Sequence, residues 1–295
     1  MQIDIFEMKI SGFTFIRNAI KFDYPVQAAI NSILPICDEV VVCVGNSDDN
    51  TLELIKDINS SKIKIIHSVW DDSLKKGGEI LAVETDKAFA AVADDSDWAF
   101  YIQGDEVIHE KDYDHILKTM NAHKNDPNVE CLVFNYLHFY GNYKYIADSR
   151  KWYRREMRII RNDKTIHSYR DAQGFRRNEK KLKGKLIDAS VYHYGWVKNP
   201  YLQKQKILNF NTLYSNDKEN LILKQSELYD YKNIDSLQLF TGTHPLSIQN
   251  RINEMNWEFE FDWAKKKLKS KEFLSRFIEK HTGKRLFEFT NYILI

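Results

Sequence analysis

Short runs of β-branched and aromatic residues alternate with segments of helical spacing over the first hundred positions, which leaves few folds open. Strands are predicted from Lys9 to Ile16, Glu39 to Val44, Lys62 to Val69 and Asp97 to Ile102. Between them, Pro25 to Leu34, Asp48 to Ile58 and Glu79 to Ala93 carry apolar residues on one helical face. The alternation implies an α/β fold, a Rossmann-type mainly parallel sheet with helices on both faces. Ligands bind such sheets at the carboxyl ends of the strands. Those ends carry Arg17-Asn18, Gly45-Asn46-Ser47, Trp70-Asp71-Asp72 and Asp105-Glu106.

After a predicted helix from Asp112 to His123 the pattern changes. Glu130 to Tyr140, Arg155 to Arg161 and Leu186 to Tyr194 read as further strands, and the chain beyond Tyr201 reads as helical and charged. The expected division is one domain over residues 1–200 and a helical C-terminal extension over 201–295, packed on it. With 43% hydrophobic residues the chain is globular rather than disordered. Its formal charge of +1 supplies no field for nucleic acid, which is excluded as a partner. Cys37, Cys43 and Cys131 lie in or beside apolar runs without metal-ligand spacing and read as reduced, buried thiols. Met1 to Glu7 holds two acids and no basic cluster, so no secretory leader is read there. No apolar run spans a bilayer. A cytoplasmic protein is expected, with peripheral attachment to the inner membrane face left open.

The chemistry concentrates at Gln103-Gly104-Asp105-Glu106, directly after the apolar run from Trp98 to Ile102. Carboxylates delivered by a strand into a loop offer hard oxygen ligands for a divalent cation. Such a cation can hold a diphosphate and stabilise it as it leaves. Ser47 is predicted to cap the helix that follows, placing Asp48, Asp49 and Thr51 at its N-terminus. Asp49 is the candidate there for a nucleotide contact. In Lys75-Lys76-Gly77-Gly78 the glycines would let backbone approach a diphosphate, with Lys76 and Gly77 as candidate contacts. Neither GxGxxG nor GxxxxGK[ST] occurs, so dinucleotide and P-loop readings fail.

Taken together, these motifs resemble the family 2 glycosyltransferases, which have the GT-A fold. Ser47-Asp48-Asp49-Asn50-Thr51 is similar to the family's Ser-x-Asp-Gly-Thr turn, and Ile102-Gln103-Gly104-Asp105-Glu106 to its Leu-Asp-Ala-Asp-Glu metal step. His193-Tyr194-Gly195 resembles the histidine that completes the metal site in many GT-A enzymes. The resemblance implies Asp105 and His193 as ligands to manganese or magnesium. It implies donor contacts from Phe15, Arg17 and Asn18 at the end of strand one, and from Gln103 and Glu106. Two departures stand out. Gln103 occupies the place of the first aspartate of the family's Asp-x-Asp pair, and Val44 that of an aspartate that meets the base.

An inverting transfer needs a carboxylate to take the acceptor's proton. The resemblance puts that base between the metal step and His193, where Asp171 is the candidate and Asp148 and Glu156 are rivals. The Arg-rich stretch from Arg150 to Arg161, with Trp152 and Tyr153, is a candidate surface for an anionic acceptor or donor phosphates. His109 reads as a surface residue, and Trp257 to Trp263 as packing for C-terminal helices. The expected activity is metal-dependent transfer of a sugar from a nucleotide-sugar donor to a hydroxyl on a glycan or glycolipid. A catalytically silent nucleotide- or glycan-binding module is the alternative.

Overall fold

The computed structural model describes residues 8–74, 77–213, 226–264, 266, 270–283 and 285–295. Strand β1 (Ile10–Ile16), helix α1 (Val26–Ile33), β2 (Glu39–Gly45), α2 (Thr51–Lys56), β3 (Ile63–Ser68), α3 (Glu79–Ala90) and β4 (Trp98–Tyr101) form the expected alternation. β5 (Glu106–Ile108), α4 (Tyr113–Ala122), β6 (Cys131–Tyr140), β7 (Tyr145–Ala147) and β8 (Arg155–Arg161) follow. β9 (Ile166–Tyr169), β10 (Gly174–Arg177) and the long β11 (Lys180–Trp196) lead into α5 (Pro200–Thr212). The C-terminal part holds β12 (Leu237–Leu239), α6 (Gln249–Asn253), α7 (Ser270–Thr282) and β13 (Tyr292–Leu294).

The main sheet runs β3-β2-β1-β4-β8-β6-β11-β10-β9. Its first four strands are mutually parallel. β8 runs antiparallel to both β4 and β6, and β11 lies parallel to β6. The α/β fold is therefore the expected one, with antiparallel strands added where the helical alternation ceases. β13 returns to pair with β11, so the C-terminus contributes a strand as well as helices.

Side chains alternate across the parallel strands, as a sheet covered on both faces demands. Val40, Val42 and Val44 of β2, with Trp98 and Phe100 of β4, join α1 and α4 in one core layer. Val41, Cys43, Ala99 and Tyr101 point the other way, into a layer closed by Ile80, Leu81, Ala88 and Phe89 of α3. Gly12 admits α1 closely: a Cβ there would meet the Ile33 side chain at 2.7 Å. All three cysteines are buried and free. Among the described residues no helix is long and apolar enough to cross a membrane.

α2 begins at Thr51, three residues later than predicted. The intervening turn is held instead by side chains from the loop after β1. Asn18 Oδ1 accepts from the Asp48 N–H at 2.9 Å, and the Asn18 N–H donates to Ser47 Oγ at 3.0 Å. Ser47 is thus a tie between loops rather than a helix cap. His109 is buried rather than at the surface, with Nε2 2.9 Å from Thr243 Oγ1.

Glu156, on β8, is buried, and burial pushes its carboxyl from 4.5 up to about 7, with Arg158 opposing the shift. The folded protein therefore holds a proton that the unfolded chain releases between those values. The associated stability, at most about 3 kcal/mol, is present below pH 4.5 and lost as pH rises through about 7. Urea unfolding of wild type should show stability falling from about pH 5 to pH 8. Glu156→Gln should flatten that slope.

Candidate functional site

All four parallel strands end in one cleft of about 900 Å³. β1 contributes Phe15, Arg17 and Asn18. The loop after β2 contributes Asp48, that after β3 Trp70 and Asp72, and that after β4 Gln103 and Asp105. The facing wall carries His138 from β6, His193 and Trp196 from β11, Trp152 and Tyr153 before β8, and Lys206 from α5.

Strand register brings the acidic step to the histidine. β5 and β11 pair antiparallel with Glu106 opposite His193, and β11 lies against β6 with His193 opposite His138. The Tyr194 N–H donates to the Asp105 carbonyl at 2.8 Å, fixing the loop to the strand. The β11–β6 register shifts between His193 and Trp196, an irregularity of the kind that re-aims side chains beside functional sites. As a result Asp105 Oδ1 and His193 Nε2 lie 3.8 Å apart.

The hydrogen bonds decide which His193 nitrogen faces the carboxylate. His138 Nε2 lies 2.7 Å from the Tyr153 carbonyl, which only accepts, so His138 carries its proton there. Burial keeps the His138 ring neutral, with its pKa well below the ordinary imidazole value. Its Nδ1 is then an acceptor, 3.1 Å from His193 Nδ1, which must donate. Burial also lowers His193, countered by Asp105 and Glu106. His193 Nε2 therefore presents a lone pair toward Asp105. Two such acceptors facing each other leave room for a donor or a cation between them.

A divalent ion fits this donor set. Gly195 leaves the space open: a Cβ there would lie 2.7 Å from both Asp105 Oδ2 and His193 Nε2. One carboxylate and one imidazole would suit manganese better than magnesium. Among the described residues no three His, Cys, Asp or Glu side chains converge as a closed metal cage. A protein cation is already present. Lys206 Nζ donates to Asp105 Oδ2 at 3.0 Å and to the Gly195 carbonyl at 2.9 Å. Burial alone would raise the Asp105 carboxyl, but the Lys206 ammonium, with Lys198 beyond it, holds it well below its usual value.

The remaining predicted residues divide. Phe15 packs on Trp70 with ring centroids 5.9 Å apart, and the Arg17 guanidinium lies 5.3 Å over the same indole. Arg17 is anchored by Asp72 at 2.8 Å and the Asn46 carbonyl at 3.1 Å. Gln103 Nε2 donates to the Ala172 carbonyl at 3.3 Å, tying the acidic step to the turn that carries Asp171. That turn is tight, with Arg170 and Ala172 at φ of 56° and 60°, and Asp171 lines the cleft.

Three predicted residues stand elsewhere. Asp49 does not line the cleft; it accepts from the Lys21 and Thr51 backbone N–H groups, and Asp48 lines the cleft instead. Gly77 adopts φ +60° outside the cleft lining, and Lys76 lies outside the described residues. Glu106 is fully buried beneath the site. Both its oxygens pair with Arg158 at 2.7 Å, and it also accepts from Tyr136 Oη at 2.9 Å and the Gln103 N–H at 3.1 Å. The Arg-rich stretch is likewise engaged internally. Arg154 pairs with Glu288, Arg150 with Glu279, and Arg161 donates to the Val129 carbonyl at 2.9 Å. The rival bases also have structural partners: Asp148 binds Lys266 and Arg276, and Glu156 accepts from Asn291.

Sequence reasoning missed His138, Lys206 and Arg158. His138 left one signal, a polar residue inside the apolar run Leu137-His138-Phe139. Lys206 left none, because nothing in the sequence sets it apart from its helix neighbour Lys204.

No family model matches the chain, and no curated protein matches it. Solved structures do resemble it. 4-Diphosphocytidyl-2C-methyl-D-erythritol synthase from Anaerococcus prevotii is 12% identical with a TM-score of 0.32, covering 52% of this chain and 70% of that one. S. aureus TarS 1–349 is 16% identical with a TM-score of 0.38, covering 74% and 69%. Glucosyl-3-phosphoglycerate synthase from Mycobacterium tuberculosis, solved with Mn²⁺, UDP and glucosyl-3-phosphoglycerate, is 16% identical with a TM-score of 0.31 over 44% of each chain. At these scores the chemistry is carried by the side chains of the cleft alone.

Glu106→Gln would leave the Arg158 charge buried with half its partner gone. Chemical denaturation should report a loss of about 3 kcal/mol, the scale for breaking a buried pair.

Proposed function

We propose that this protein is a glycosyltransferase that moves a sugar from a nucleotide-sugar donor to a hydroxyl on a glycan or glycolipid, with inversion. The observation carrying this reading is the approach of Asp105 and His193 Nε2 to 3.8 Å in a cleft at the ends of four parallel strands. The sequence motifs at those strand ends support it.

In this reading the Phe15–Trp70 pair, with Arg17 across the indole, receives the nucleobase by stacking. Val44 is buried in the core and takes no part. Asn18 holds the Asp48 turn and so shapes the ribose end of the cleft. Asp105 and His193 would hold a manganese or magnesium ion, which supplies positive charge to the diphosphate. Gln103 fixes the Asp171 turn, and Asp171 accepts the proton of the acceptor hydroxyl. Trp152 and Trp196, at 5.8 Å and 86° to each other, offer apolar faces on which an acceptor sugar can lie.

Incubation with a panel of nucleotide sugars plus Mn²⁺ should release one nucleoside diphosphate, and acceptor glycans should speed the release. Asp105→Ala should cut that release by at least about 100-fold. Asp171→Asn should lower kcat by about 100-fold while donor binding, followed by calorimetry, stays close to wild type. Tight binding with no turnover on any donor and acceptor would instead mark a silent binding module.

A further inference from the structure

An ammonium stands against the Asp105 carboxylate. Lys206 Nζ reaches it from the middle of α5 and donates to Asp105 Oδ2 at 3.0 Å and to the Gly195 carbonyl at 2.9 Å. The Tyr24 ring backs it at 4.9 Å. A carboxylate, a carbonyl and an aromatic face are the three kinds of group that stabilise a buried cation. The Lys206 side chain is only 14% exposed, and that exposure faces the cleft it lines.

An ammonium has three N–H donors. Two are directed at Asp105 and Gly195, and the ammonium that carries the third lines the cleft. A second buried lysine stands nearby: Lys198 Nζ donates to the Asp23 carbonyl and lies 4.9 Å from the centre of the same Tyr24 ring. The sequence departs from the family pattern at this point. With Gln103 in place of an acid, Asp105 is the carboxylate of the acidic step that meets Lys206, and it already has a cationic partner without any metal.

We propose that Lys206 is a donor-binding residue, a resident cation whose third N–H meets the diphosphate and whose hold on Asp105 weakens the protein's affinity for a free divalent ion. This rests on the nucleotide-sugar reading and changes which group carries the charge toward the diphosphate. Donor binding then does not require metal, and a metal ion enters by competing with Lys206 for the carboxylate.

Calorimetry on the full chain tests this in two arms. In EDTA, a panel of UDP, GDP, CDP and dTDP should include one that binds wild type, and Lys206→Met should weaken that ligand at least about tenfold. In the second arm, MnCl₂ alone should bind Lys206→Met at least about tenfold more tightly than wild type, because Asp105 is released. A wild type that binds nucleoside diphosphates only when Mn²⁺ is added would overturn the inference and leave the glycosyltransferase reading standing. No binding of the panel with or without Mn²⁺ would remove the donor site itself. The wild-type comparison decides between these even if the variant fails to fold.

Discussion

The buried pair between Glu106 and Arg158 holds the site in place. Both side chains are fully shielded from water, so their charges survive only through close geometry and complete hydrogen bonding. The pair meets those conditions. Two bonds of 2.7 Å join them, Tyr136 and the Gln103 N–H satisfy the carboxylate further, and the guanidinium donates to the Met157 and Gln173 carbonyls. Tyr101 and Tyr136 flank the guanidinium at 5.2 and 5.3 Å. This one interaction ties β5, β8, the acidic step and the Asp171 turn into a single floor.

On that floor, pairing register does the placing. Glu106, His193 and His138 lie abreast on β5, β11 and β6, which puts Asp105 at the imidazole and one histidine behind the other. The chain of donors from His193 to His138 to the Tyr153 carbonyl then fixes which nitrogen looks into the cleft. A shift of one residue in β11 would turn His193 to the other face of the sheet. The charge balance follows the same geometry, since α5 begins four residues after β11 ends and returns Lys206 to Asp105.

Much of the frame was legible because local rules agree with tertiary ones there. The strands at Glu39–Gly45 and Trp98–Tyr101 are runs that only a sheet covered on both faces would bury. Asp105 stood out because it follows an apolar strand, and His193 because His193-Tyr194-Gly195 resembles a family motif. The arginines from Arg150 to Arg161 misled because composition cannot say whether a cation faces a ligand or an internal partner. Here Glu279, Glu288 and Glu106, 52 to 134 residues distant, take that role. Asp49 and Glu106 misled for the same reason: each lies beside a residue that lines the cleft, and one step along the chain reverses what it faces.

The sequence by itself determined the alternation of strands and helices, the two-sided core and the end of the sheet at which polar residues gather. Periodicity and hydrophobicity encode those properties over a few residues. Only the tertiary structure decided that Glu106 binds Arg158, that His138 orients His193 and that Lys206 stands against Asp105. Each of those contacts joins groups 52 or more residues apart, and its strength comes from the exclusion of water, which no short segment can achieve alone.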